Sequence, residues 1–118
     1  MLAKKHRLNL TLTENSQMFK SGLSQQYVGK DLLFYYRPNK SGLKTTALAP
    51  SRLFPKAHQR NHHRRLLYNL IIKKNKEMLE VKKESLFNKN FDLIIVYKNR
   101  DFKVSGLEED LNTFLKQI

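Results

Sequence analysis

The 118-residue sequence has no cysteine, which excludes disulfides, thiolate zinc sites and cysteine nucleophiles. No apolar run approaches the roughly 20 residues that span a bilayer. The basic start Met1-Leu2-Ala3-Lys4-Lys5-His6-Arg7 is not followed by the apolar stretch of a secretory signal, so the expected location is the cytoplasm. Gly-rich phosphate loops, paired carboxylates and a nucleophile elbow are all missing, and no residue is assigned to catalysis. Glu77, Glu80, Glu84, Glu108, Glu109 and Asp110 fall in stretches that read as exposed helix, and Asp92 reads as structural. The most informative absence is of acid. Residues 32–76 hold eleven Lys/Arg and no Asp or Glu.

What is present follows from that gap. The formal net charge is +13, of which residues 1–31 contribute +3, residues 32–76 contribute +11 and residues 77–118 contribute −1. A solvated surface usually mixes both signs. An uninterrupted basic third therefore points to an anionic partner and marks the face that meets it. Hydrophobic residues make up 40% of the chain, enough for one modest core, and the length suits a single domain over 1–118.

Residues 11–22 read as a short helix, with Thr13 or Thr11 as N-cap and Gly22 at the left-handed position after its end. Residues 31–37 read as an aromatic-rich strand, and a short strand near 25–29 is placed before it. Pro38 to Gly42 is a turn cluster, from which 43–49 is expected to return as the second arm of a hairpin. Pro55 suits the first turn of a helix, and the spacing predicts that helix over about 56–75. Residues 76–90 are charged and mixed and read as an insertion, with Met78, Val81 and Leu86 hinting at a further helical piece. Phe91 to Tyr97 is a continuous apolar run of the kind found in a central strand. Ser105 and Glu108 suggest a capping box opening a last helix over 105–118, whose apolar stripe is Leu107, Leu111, Phe114, Leu115 and Ile118. This order implies an α+β fold, an α/β sandwich with helices against a small sheet of about four strands.

The segment that carries function is Lys56-Ala57-His58-Gln59-Arg60-Asn61-His62-His63-Arg64-Arg65. On a helix, Lys56, Arg60, Asn61, Arg64 and Arg65 share a broad face. Arginine forks match phosphate oxygens, and asparagine bonds a base edge or a ribose. His62 and His63 donate to phosphate when protonated. A zinc reading of His58 and His62 fails because the segment has no Asp or Glu and would repel a dication. Phe34, Tyr35 and Tyr36 add rings on a strand, where an exposed face stacks single-stranded bases at roughly 1–3 kcal/mol each. Packing under a helix is the competing role for each ring.

These residues resemble the bacterial ribonuclease P protein subunit. Lys56-Ala57-x-x-Arg60-Asn61-His62-x-Arg64-Arg65 is similar to that family's helix motif K-A-x-x-R-N-R-x-K-R. Met1-Leu2-x-Lys4-Lys5-His6-Arg7-Leu8 looks like its M-L-x-K-x-x-R-L start, and Phe19 and Gly22 match the end of its first helix. Tyr35 with Pro38-Asn39 resembles its Y-x-x-P-N strand end, Ser51-Arg52 falls where it has S-K, and Phe91 to Ile95 resembles its Y-D-I-V-V strand. The likeness spans nearly the whole chain in order. It departs at His62, where the motif has arginine, at Asn15 for a phenylalanine, at Pro55 for a glycine, and in the extra residues of 76–90.

Alongside the three helices read above, the resemblance implies a left-handed βαβ crossover, where general topology favours the right-handed form. It implies the protein part of a ribonucleoprotein endoribonuclease that frees the 5′ leader of precursor tRNA. Chemistry would lie in the catalytic RNA, with Mg2+ bound mainly by that RNA. Lys56, Arg60, Asn61, His62, Arg64 and Arg65 would contact the catalytic RNA, and Phe19, Tyr35, Ser51 and Arg52 would line a leader cleft. The expected partners are catalytic RNA and precursor tRNA, without membrane or DNA. A ribosomal or other structured-RNA-binding protein would share this composition. A DNA-reading helix-turn-helix lacks its preceding helix and tight turn, and a membrane-surface helix lacks a Trp/Phe-rich face.

Overall fold

The seven residues Phe91–Tyr97 are apolar but for Asp92, and six of the seven are buried. A strand this apolar is most stable where both its edges and both its faces are covered. In the computed structural model of the chain, which describes residues 6–8 and 25–117, it occupies the inside of a four-stranded sheet. The elements are β1 (Gln25–Val28), β2 (Leu32–Pro38), β3 (Lys44–Leu48), α1 (Ala57–Val81), a 3-10 turn (Leu86–Asn88), β4 (Phe91–Tyr97) and α2 (Val104–Lys116). Across the sheet the order is β1, β2, β4, β3. β1 and β2 form an antiparallel hairpin, β2 and β4 are antiparallel, and β3 and β4 are parallel.

The strand near 25–29 is therefore present. The expected hairpin of 31–37 with 43–49 is not, because β4 lies between them and pairs with both. A β2–β3 hairpin would have pushed the most apolar strand toward an exposed edge. Residues 6–8 run along the outer edge of β3, with an Arg7–Thr45 bridge and a 2.9 Å bond from Leu8 N–H to Thr45 C=O.

One face of the sheet carries Leu32, Phe34 and Tyr36 of β2, Ala47 of β3 and Leu93, Ile95 and Tyr97 of β4. Against it pack Leu67, Leu70, Ile71 and Met78 of α1 and Leu107, Leu111 and Phe114 of α2. The Phe34 and Phe114 rings stack at 4.4 Å. Each fully buried side chain of this size contributes about 1.5–3 kcal/mol, so this layer holds the helices to the sheet. The other face carries Tyr35, Leu48, Ile94 and Val96, clustered with Leu8.

Two α-helices stand among the described residues, where three were expected; the helix expected over 11–22 lies outside them. α1 is longer than the expected 56–75. It runs 25 residues, about 37 Å at 1.5 Å per residue. Met78 belongs to this helix and not to a separate piece. α1 stops where Lys83 takes φ +57. The chain then folds back, because Asn75 Oδ1 accepts from Ser85 Oγ at 3.0 Å and Leu86 N at 2.8 Å, and Leu86 is buried.

α2 begins at Val104 with Lys103 as N-cap, so Ser105 sits inside the helix and caps nothing. Asp110, expected on an exposed face, is buried. Its carboxylate accepts from the N–H groups of Lys30, Asp31 and Leu32 at 3.1, 2.8 and 3.1 Å, which ties α2 to the β1–β2 turn. Asp92 is structural as read, pairing with Arg37 Nε at 2.9 Å and accepting from Asn39 Nδ2 at 2.7 Å.

Candidate nucleic-acid interface

The connection from β3 to α1 is short and rigid. Pro50 C=O accepts from Leu53 N and Phe54 N at 3.1 and 2.9 Å, closing a turn that leaves Ser51 and Arg52 exposed. Phe54 is buried beneath it. Its ring stacks on His63 at 4.1 Å and meets Tyr97 edge-on at 5.3 Å. Lys56 is the N-cap of α1, and the first turn contains no acid.

The basic segment does not present one face. A residue step turns a helix by about 100°, and the core stripe of α1 passes through Leu67, Ile71 and Met78. Arg60 lies on that stripe, seven residues before Leu67. It is half-buried, and its Nη1 donates to Phe54 C=O at 3.0 Å and Pro55 C=O at 2.8 Å. Lys56, Asn61, His62 and Arg65 are exposed, and Arg64 lies at the border with a hydrogen bond to Asn61 Oδ1. The broad shared face expected for Lys56, Arg60, Asn61, Arg64 and Arg65 thus divides. Arg60 turns toward the lead-in loop and the others flank or face solvent.

His63, expected to donate to phosphate beside His62, is turned inward. Its ring is packed among Phe54, Tyr97 and Phe102, and its Nδ1 lies 2.6 Å from Gln59 C=O. Tyr97 donates its hydroxyl to His63 C=O at 2.8 Å, and burial pushes that phenol well above its usual range, so it stays a donor. The exposed stripe of α1 also takes in His58, within the motif segment but not one of its named positions, and continues past the motif through Asn69 and Lys76. Their signal was helical spacing, three or four residues from Asn61, His62 and Arg65 for His58 and Asn69, and two turns beyond Asn69 for Lys76.

Of the expected cleft residues, Tyr35 lies on the sheet face away from α1 and α2, half-buried beside Ile94 and Leu48. Its hydroxyl accepts from Gln26 Nε2 at 3.4 Å. Phe34 is fully buried and Tyr36 packs on Phe114, so both serve the core. Phe19 lies outside the described residues. Tyr68, not anticipated, joins α1 to β3, its hydroxyl 3.2 Å from Ala47 N and 3.3 Å from Thr46 Oγ1. Among the described residues, no three His, Cys, Asp or Glu side chains converge to hold a metal ion, and no helix is long and apolar enough to cross a membrane.

This arrangement offers cations, amide groups and imidazole along one side of a long helix, with the exposed Ser51–Arg52 turn at its start. It has the chemistry to bind a phosphate backbone. A family model described as Ribonuclease P matches residues 2–118. Among solved structures, the RNase P protein from Thermotoga maritima superposes with a TM-score of 0.69 at 19% identity, covering 95% of this chain and 96% of that one. The Staphylococcus aureus RNase P protein gives a TM-score of 0.60 at 16% identity over 95% and 94%. No curated protein sequence matches the chain.

Proposed function

The chain belongs to the ribonuclease P protein family, and from that premise we propose that it binds the catalytic RNA and the 5′ leader of precursor tRNA to promote 5′-end maturation in the cytoplasm. The observation that carries this reading is the acid-free block of residues 32–76, whose exposed cations include Arg52 in the turn before α1, Lys56 at its N-cap, and Arg65 and Lys76 along it. Two RNAs brought into one complex repel each other. A basic wedge between them lowers that cost, most strongly where few other cations screen it.

In this reading Lys56, Asn61, His62, Arg64 and Arg65 meet the catalytic RNA, with Arg60 at the base of the same surface. Tyr35, Ser51 and Arg52 belong to the leader cleft, together with Phe19. The protein neutralises charge and positions the two RNAs. Magnesium carried by the RNA supplies the hydrolytic chemistry, and no residue of this chain is assigned to hold it. The reading also includes a left-handed sense for the β3–α1–β4 crossover and a first helix over 11–22, as the family resemblance implies.

The test mixes the protein with the catalytic RNA of its own organism and a 5′-labelled precursor tRNA at low magnesium. Leader release should require both components and should fall on Arg65→Ala. Equal leader release with and without protein at low magnesium refutes the reading. Salt-dependent RNA binding without stimulation would instead leave a ribosomal or other structured-RNA-binding role.

A further inference from the structure

The sequence motif treats Arg60 as one RNA contact among several, yet its surroundings differ from those of its neighbours. It occupies the core stripe of α1, half-buried, where Asn61, His62 and Arg65 are exposed. A single nitrogen, Nη1, donates to two successive carbonyls of the preceding loop, Phe54 and Pro55. A cation in the first turn of a helix opposes the helix dipole. The two carbonyls offset that, because a guanidinium donating to them is held as in any charge-assisted hydrogen bond. On the other side of the same loop, the Phe54 ring lies against His63, itself wedged by Tyr97 and Phe102. The loop is therefore gripped twice by α1, through its backbone by Arg60 and through its one buried ring by His63. What that grip presents is the exposed pair Ser51 and Arg52, joined to Phe54 through the Pro50 turn.

We propose that Arg60 is a positioning residue for RNA recognition, splinting the Ser51–Pro55 connection to α1 so that Arg52 and the exposed side of α1 engage RNA as one rigid surface. This rests on the RNA-binding reading above. It makes a distinction that a phosphate contact would not. A residue that touches phosphate sets the number of counterions released, and its loss flattens the dependence of affinity on salt by about one unit. A residue that splints a loop releases no counterion of its own, so its loss flattens the slope only through the Arg52 contact it holds in place, and not at all once Arg52 has been replaced.

The experiment measures affinity of the full chain for the preformed complex of the catalytic RNA with a leader-bearing precursor tRNA across a potassium chloride series, for the wild type, Arg60→Gln, Arg65→Gln, Arg52→Ala and the doubles of Arg60→Gln with each. Arg65→Gln should weaken binding and lower the salt slope by about one. Arg60→Gln should weaken binding by roughly tenfold, the loss of charge-assisted hydrogen bonds, with a slope no flatter than that of Arg52→Ala. Arg52→Ala should cost far less beside Arg60→Gln than alone, whereas Arg65→Gln should cost the same in both backgrounds. Phe54→Leu releases the ring side of the grip without altering any charge, and it should likewise lower affinity with a slope no flatter than that of Arg52→Ala. It serves as the test if far-UV circular dichroism shows Arg60→Gln unfolded. A slope that flattens further when Arg60→Gln is added to Arg52→Ala, additive losses with Arg52→Ala, or wild-type affinity for Phe54→Leu overturns the inference. Wild-type protein that does not bind the RNA at all overturns the functional reading itself.

Discussion

Asp110 is the residue whose replacement this structure most sharply constrains. Its carboxylate takes three backbone N–H groups of the β1–β2 turn, with Oδ2 shared between Asp31 and Leu32 and Oδ1 on Lys30. The Leu32 bond is buried and the other two are part-buried. In Asp110→Ala the Leu32 donor loses its partner away from water, at about 1–3 kcal/mol, and each part-buried bond adds roughly 0.5–1 kcal/mol. The expected loss is then about 2–5 kcal/mol, a large share of the roughly 5–15 kcal/mol that holds a domain together. Asp110→Asn keeps one oxygen but turns an amide N–H toward a backbone N–H, so it should lose about 2 kcal/mol. With a urea dependence of about 2 kcal/mol per molar for a chain this size, the midpoint should fall by about 1–2.5 M for Asp110→Ala and about 1 M for Asp110→Asn, at unchanged slope. Urea titration followed by circular dichroism reads this directly. A midpoint for Asp110→Asn within about 0.3 M of the wild type would refute the claim that this carboxylate organises the turn.

Two further stability changes should go the other way. Thr45 is buried, and among the described residues its hydroxyl has no hydrogen-bond partner. Thr45→Val should therefore leave stability unchanged or raise it by up to about 1 kcal/mol, and a urea midpoint clearly below the wild type would show that the hydroxyl is satisfied. Lys83 holds φ +57, a conformation that costs an L residue about 1–2 kcal/mol. Lys83→Gly should stabilise by about 0.5–1 kcal/mol after the glycine's own entropy is counted, and a thermal midpoint that drops would mean the lysine makes a compensating contact.

Several features were legible in the sequence because they depend on local pattern. β4 followed from an apolar run, the apolar stripe of α2 from its spacing, and the position of α1 from the Leu66–Ile71 cluster, although Pro55 stands just before the Lys56 N-cap and not in the first turn. Asp92 was correctly read as structural. Others were not legible, for a shared reason. Nothing local says that β4 slides between β2 and β3, since strand pairing is settled by which edge most needs covering. Capping of α2 moved back to Lys103, because packing of Leu107 and the β4–α2 connection outweighs the preference of Ser105 for a cap. The length of α1 depended on Met78 finding the core and on Asn75 catching the returning chain at Ser85 and Leu86.

For the interface, the sequence alone determined that an unbroken cationic stretch exists, that it falls on a helix, and that its residue types suit RNA. Charge count and helix periodicity are properties of the chain in order, and they survive any fold. Tertiary structure alone decided which of those cations point outward. Arg60 and Arg65 are equivalent as letters in a motif. One faces the Phe54 and Pro55 carbonyls and the other faces solvent, because the helix must seat Leu67, Ile71 and Met78 on the sheet and that fixes its rotation. Likewise His62 and His63 are adjacent and chemically identical, and one turn of about 100° places the first outside and the second among aromatic rings.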